Sequence, residues 1–187
     1  MEIDLLCNPK LVSKWAPQFW YASTSWKIIS GKWEIGSCNK MFCLGETKLK
    51  SGENICLIGS SDWKNYIFQV KFKILKDSIK PPEGGVIFYS NFKNIRNYYS
   101  FHFCHYKNKI ELIKRIKSVW STIAAQEYVF ETQKEYFIAI SSISGSHQCR
   151  IDGINCLKVK DVDVSSGYIG IGSKYCDVEF SHASVSF

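Results

Sequence analysis

The chain of 187 residues contains no run of eighteen or more apolar side chains, so the sequence offers no membrane-spanning helix. It also lacks a Walker loop, a dinucleotide-binding glycine fingerprint, a His-Glu-x-x-His pair, an EF-hand loop and a nucleophile elbow. Eight cysteines are present but no Cys-x-x-Cys, which removes the usual spacing of a structural zinc or a dithiol redox site. Arginine is scarce, because 21 of the 24 basic residues are lysine. Bidentate recognition of phosphates and base edges leans on arginine, so this scarcity weighs against nucleic acid even at a net charge of +7. No segment carries a sustained helical period, and no linker or internal repeat divides the chain.

Aromatic side chains are abundant, at 15% of the residues. They concentrate between Trp63 and Phe103, where WKNYIFQVKFKIL, GGVIFYSN and NYYSFHF follow one another, separated by turns. Tyr66, Phe68, Val70, Phe72 and Ile74 alternate with Ile67, Gln69, Lys71, Lys73 and Leu75, the period of a strand with one buried face. Similar short apolar runs recur along the chain: WKIISGKWEIG (26–36), a two-strand signal around Ser30-Gly31; MFCLGE (41–46); NICLIG (54–59); IELIKRI (110–116); KEYFIAISSIS (134–144); GYIGIGS (167–173); and DVEFSHASVSF (177–187). Residues 121–133 read either as a short helix or as strand and loop. About a dozen strands at this spacing predict an all-β, two-sheet antiparallel sandwich, with a closed barrel as the competing architecture. The expected organisation is a single domain over 1–187, with 1–25 an irregular lead-in packed on it.

Asp152-Gly153 separates two alternating runs and predicts a hairpin with a type I′ turn, because both turn positions need φ > 0. That register places Cys149 opposite Cys156, about 5.5 Å apart at Cα, a spacing that allows a disulfide. Cysteine density points to an oxidising compartment, secretion or the cell surface. The acidic start MEIDLLCNPK, read literally, points to the cytoplasm, with buried thiols acting as small hydrophobes. Both readings stay open.

Charge is uneven. Residues 61–120 carry twelve basic and four acidic side chains, whereas residues 121–187 carry five and eight. A basic centre could attract an anionic glycan, a nucleic acid or a membrane surface, or form a solvated lysine-rich face. Two acidic pairs stand out. Glu2 and Asp4 share a strand face, as the paired carboxylates of glycoside hydrolysis must. Asp161 and Asp163 lie together beside a loop, either a calcium site completed by carbonyls or a solvated pair.

The ordered phrases WKIISGKWEI, WKNYIFQVKFKI, GGVIFYS, NYYSFHF, EYFIAIS, RIDG, GYIGIGS and VEFSHASVSF span nearly the whole chain. In this order they resemble the concanavalin A-like lectin/glucanase superfamily. Within it they are similar to laminin-G-like sandwiches related to 3-keto-disaccharide hydrolase and levan-binding modules. The resemblance implies a jelly roll whose concave face and rim loops bind glycans, sometimes with calcium. Hydrolase-like members usually carry arginine where GGVIFYS ends, and here Tyr89 stands there. They often have acids before the last strand, where this chain has Ser181-His182. The expected function is therefore a non-catalytic carbohydrate-binding module. A protein-interaction or adhesion sandwich and a glycan-processing hydrolase are the alternatives. The ligand residues implied by the resemblance are Tyr89, Arg96, Tyr98 and His102.

Overall fold

The computed structural model describes residues 2–13, 25–44, 53–76, 83–90, 95–104 and 107–187. Among them are sixteen strands. In chain order they are β1 (Glu2–Asp4), β2 (Lys10–Ser13), β3 (Ser25–Ser30), β4 (Lys32–Ile35), β5 (Met41–Leu44), β6 (Glu53–Ile58), β7 (Tyr66–Lys76) and β8 (Glu83–Ser90). There follow β9 (Tyr98–Cys104), β10 (Lys109–Ile116), β11 (Val119–Glu127), β12 (Glu135–Ile143), β13 (Ser146–Ile151), β14 (Ile154–Lys160), β15 (Tyr168–Lys174) and β16 (Asp177–Ser186).

They form two eight-stranded sheets. The first runs β14-β13-β12-β7-β16-β5-β4, with β1 also paired to β16; the second runs β11-β10-β9-β8-β15-β6-β3-β2. Every pairing is antiparallel except β2 with β3. This is the all-β two-sheet sandwich the alternation predicts, a jelly roll. No helix among the described residues is long and apolar enough to cross a membrane.

Tyr66, Phe68, Val70, Phe72 and Ile74 of β7 are all buried, as their period of two requires, and so are Tyr99, Phe101 and Phe103 of β9. Rings from the two sheets meet in the middle. Phe72 stacks on Phe103 at 5.1 Å between centroids, and Tyr66 meets Tyr89 edge-on at 5.3 Å. Burying each such side chain stabilises the fold by about 1.5–3 kcal/mol, which makes this aromatic layer the main reason the sheets associate.

Two expectations need correction and two gain detail. Within the lead-in, residues 2–13 are not irregular: β1 joins β16 and β2 joins β3. Residues 14–24 lie outside the described residues. The strands on either side of Ser30-Gly31 exist but belong to different sheets, the chain crossing the sandwich at Gly31 (φ +84°). Of the two readings open for residues 121–133, strand and loop holds, because β11 completes a hairpin with β10. Finally, Arg150 opposes Asn155 and Ile151 opposes Ile154 as predicted, but a bulge then slips the ladder and puts Leu157 opposite Cys149. Cys149 faces the core, Cys156 is half-buried, and both thiols are free. The Cys149–Cys156 disulfide is not formed.

Candidate functional site

The inner face of the second sheet makes the core, so the side chains that alternate with it form an outer, concave face. Gly85 of β8 lies between Gly172 of β15 and His102 of β9 in the ladder. Two neighbouring strands without side chains there leave a depression. A Cβ on Gly85 would stand 2.2 Å from the Phe101 carbonyl oxygen, so even alanine would force the backbone apart. The resulting groove has a volume of about 350 Å³ and crosses six consecutive strands, β6-β15-β8-β9-β10-β11. That is the size of a small-ligand site.

One end of the groove is ionic. Lys174 of β15 sits in register with Glu53 on one side and Glu83 on the other. Its Nζ is 3.6 Å from Glu83 Oε2, and His102 Nε2 lies 3.4 Å from the same oxygen. Burial pushes the Glu83 carboxyl up, but His102 and Lys174 outweigh it and hold the group below its ordinary range. Burial pulls the Lys174 ammonium down, and the charges of Glu83, Tyr175 and Glu53 more than restore it. Lys174 and Glu83 therefore face the groove as charges at neutral pH.

The other end is aromatic. Tyr98 is buried in the floor, and burial, aided by the Glu53 charge and opposed by Arg115, keeps its hydroxyl protonated. Trp120 stands perpendicular to it at 5.5 Å and is 44% exposed. Arg115 lies against both rings, its guanidinium carbon 5.0 Å from the Trp120 centroid and 5.6 Å from that of Tyr98. Ser100, Ser121 and Thr122 line the stretch between the two ends with hydroxyls. His102 Nδ1 and Arg115 Nε are buried without a hydrogen-bond partner among the described residues.

Of the four implied ligand residues, the structure brings two into the groove: Tyr98 and His102. Tyr89 is not at the surface. Strict alternation would place it outward beside Ile87, but its left-handed backbone (φ +55°) coincides with a slip in the β15–β8 ladder and turns the ring inward. There its hydroxyl donates to the Ser142 carbonyl at 3.2 Å. Arg96 is exposed in the turn before β9 and does not line the groove.

The two acidic pairs also fall elsewhere. Glu2 and Asp4 are exposed on β1, in the opposite sheet, and Asp4 Oδ1 accepts from the Leu6 amide at 2.9 Å. Asp161 and Asp163 do converge, but on a lysine: Lys114 Nζ lies 2.5 Å from Asp161 Oδ2 and 2.7 Å from Asp163 Oδ2. An ammonium thus occupies the position expected of a metal. No group of three or more potential metal ligands occurs among the described residues. Asp161 Oδ1 also accepts from the Tyr99 hydroxyl, which ties the pair to the sandwich interior.

The residues that sequence reasoning missed are Trp120, Arg115, Glu83, Lys174 and Glu53. Trp120 and Arg115 face each other because Lys117 and Ser118, at φ +49° and +70°, make a two-residue turn of the type I′ kind. Lys-Ser carries no hint of that turn, unlike Asp152-Gly153. Glu83 and Lys174 are ninety-one positions apart and meet only through the β8–β15 ladder.

No protein-family model matches this chain, and no curated protein matches it in sequence. Its fold does match solved structures. The carbohydrate binding module CBM66 from Bacillus subtilis superposes with a TM-score of 0.75 at 16% identity, covering 86% of this chain and 95% of the other. The β-glucanase of Bacillus licheniformis matches with a TM-score of 0.63 at 10% identity, over 86% and 90% of the two chains. The exoplasmic/lumenal domain of VIP36, in its Ca2+/Man3GlcNAc-bound form, matches with a TM-score of 0.66 at 12% identity, over 86% and 83%. At such identities the likeness concerns the fold alone, and on that level it agrees with the topology: the chain is a two-sheet antiparallel jelly roll, as these structures are.

Proposed function

We propose that this protein is a non-catalytic carbohydrate-binding module and that the groove on the second sheet is its binding site. The observation that carries this reading is the pairing of an exposed indole, Trp120, with hydroxyl, carboxylate, imidazole and ammonium groups along one concave face. A sugar ring offers an apolar C–H face and a hydroxylated edge, and such a groove offers a partner for each. The similar solved structures supply background support, since one is a carbohydrate binding module and another was crystallised with a mannose-containing glycan.

Hydrolysis fits less well. A general acid needs a carboxyl whose pKa is raised, and Glu83 is held in the opposite direction by His102 and Lys174. A protein-docking face would draw on exposed apolar residues such as Val119 and Trp120 of β11, but the hydroxyl and charged groups lining the groove beside Trp120 suit a hydroxylated ligand better. Calcium accompanies the VIP36 domain. In this chain we assign the Asp161–Asp163 pair to Lys114 and leave the groove free of any metal requirement.

The test is a glycan array probed with the wild-type protein and with Trp120→Ala, followed by titration of the best ligand. Binding that is lost in a correctly folded Trp120→Ala supports the assignment. Binding that survives unchanged moves the site elsewhere, and an array without any hit defeats the reading.

A further inference from the structure

We propose that the saccharide taken by this groove is acidic, with its carboxylate or sulfate group seated at the Trp120 end. The inference rests on the groove being a saccharide site and names the class of saccharide.

The chain has three arginines, at 96, 115 and 150. Two of them flank the Trp120 end of the groove without lining it: Arg115 beside Trp120 on the same sheet, and Arg96 in the turn before β9. Arg115 pairs in register with Tyr98 on β9 and with Trp120 on β11. The β10–β11 turn is stitched to the turn before β9: the Ser118 amide donates to the Arg96 carbonyl at 3.1 Å, and the Lys117 amide donates to Asn97 Oδ1 at 2.8 Å. Arg115 thus lies against Trp120, while Arg96 and Lys117 stand in the two turns that these bonds join, with their side chains exposed.

These cations differ from the other basic residues of the sheet. Lys109 is paired with Glu111, Lys114 with Asp161 and Asp163, and Lys174 with Glu83. Arg96, Arg115 and Lys117 have no carboxylate partner among the described residues. Arg115 lies against two mutually perpendicular rings, and of its N–H donors only Nη1 has a partner among the described residues, the Tyr98 hydroxyl at 3.5 Å. Its Nε is buried and unpartnered. A planar anion such as a carboxylate suits those donors, because charge-assisted hydrogen bonds to a guanidinium form in its plane. The far end of the groove sets two carboxylates, Glu53 and Glu83, against one ammonium, Lys174, which makes it the poorer seat for an anion and gives the bound chain a direction.

The experiment is an array of matched oligosaccharide pairs, each uronate set against its methyl ester and each sulfated chain against its unsulfated parent, read at low and at high salt. The expected result is that the acidic member of at least one pair binds about tenfold or more tightly, and that this advantage shrinks with salt. Arg115→Gln should lower affinity for the acidic member towards that of its neutral counterpart. Because Arg115 also holds Trp120, Arg96→Gln/Lys117→Gln provides a second reading with the aromatic corner untouched, and it should weaken the acidic member selectively. Equal binding of both members, still lost in Trp120→Ala, overturns the acidic inference and leaves the saccharide reading standing. Absence of binding to every member overturns both.

Discussion

The guanidinium of Arg115 packs on the exposed indole of Trp120, 5.0 Å from its centroid, and so fixes the orientation of the largest solvent-facing ring at the groove. Tyr98 completes a triangle with them, 5.6 Å from the same cation and 5.5 Å from the indole. An indole held in this way presents its face at little entropic cost, which is what a stacking platform needs. Replacing Trp120 by alanine should change folding stability by no more than about 1 kcal/mol, since the residue is nearly half exposed. Saccharide affinity should fall by at least about tenfold. Chemical denaturation and titration calorimetry on one preparation separate the two effects.

Lys114 bridging Asp161 and Asp163 predicts that calcium leaves the wild-type melting temperature unchanged. In Lys114→Met the two carboxylates lose their cation, and calcium should then raise the melting temperature. A calcium-dependent shift in the wild type would show that the ion competes with the ammonium and that the assignment is mistaken.

Tyr99 joins the two sheets through its hydroxyl, which donates to Asp161 and lies 3.3 Å from the Val164 amide. Tyr99→Phe keeps the ring stacking on Phe88 and removes only the hydrogen bonds. The expected loss is about 1–3 kcal/mol, measured as a lower urea midpoint with the slope unchanged.

His147 is buried between Ser142 Oγ, 2.7 Å from its Nδ1, and the Asp161 carbonyl, 3.0 Å from its Nε2. Burial lowers its pKa from the ordinary 6.5, and the Asp161 carbonyl and charge offset this only in part. The folded state therefore takes up this proton at a lower pH than the unfolded chain does. Stability from the neutral imidazole is complete above about pH 6.5 and is lost as the pH falls through the folded pKa. Glu83, Glu135 and Asp161, whose folded pKa values are also depressed, add their losses only below the ordinary carboxylate range, near 4. Urea midpoints should thus begin to decline as the pH falls below about 6.5, and that early decline should vanish in His147→Gln.

Five cysteines, at 43, 56, 104, 149 and 176, are buried, while Cys7 and Cys38 are exposed. Burial pushes the thiols of Cys43 and Cys176 up to about 12 and raises those of Cys56 and Cys149 as well. A thiol reagent should label Cys7 and Cys38 quickly in the native protein, Cys156 slowly, and the buried five only after unfolding. A mass-mapped Cys149–Cys156 bridge in protein isolated without reductant would contradict the observed register.

Much of the fold was legible in local pattern. Tyr66 to Ile74 alternate because one face must be dry, and Asp152-Gly153 turns because its backbone tolerates positive φ. The legible pattern failed where a single backbone angle broke the alternation. Tyr89 at φ +55° crosses from the groove side to the core, and the bulge beside Arg150 moves Cys149 away from Cys156. Neither slip has a signal in residue type, because tyrosine and arginine are ordinary strand residues. Tyr98 and His102 line the groove because β9 keeps its period throughout. Trp120 was missed because Ala124-Ala125-Gln126-Glu127 favours helix locally, and only pairing with β10 overrides that preference.

The absences in the sequence concern local motifs, such as a glycine-rich phosphate loop or a Cys-x-x-Cys, whose chemistry needs residues at fixed spacing along the chain. The alternation of aromatic and polar residues determined a sandwich, because burial of one face per strand leaves few other solutions. Tertiary structure alone decided which side chains share the groove. Glu83, Lys174, Arg115 and Trp120 sit on four strands whose order in the sheet differs from their order in the chain. Cross-strand hydrogen bonds, which depend on register and not on sequence distance, bring them onto one face.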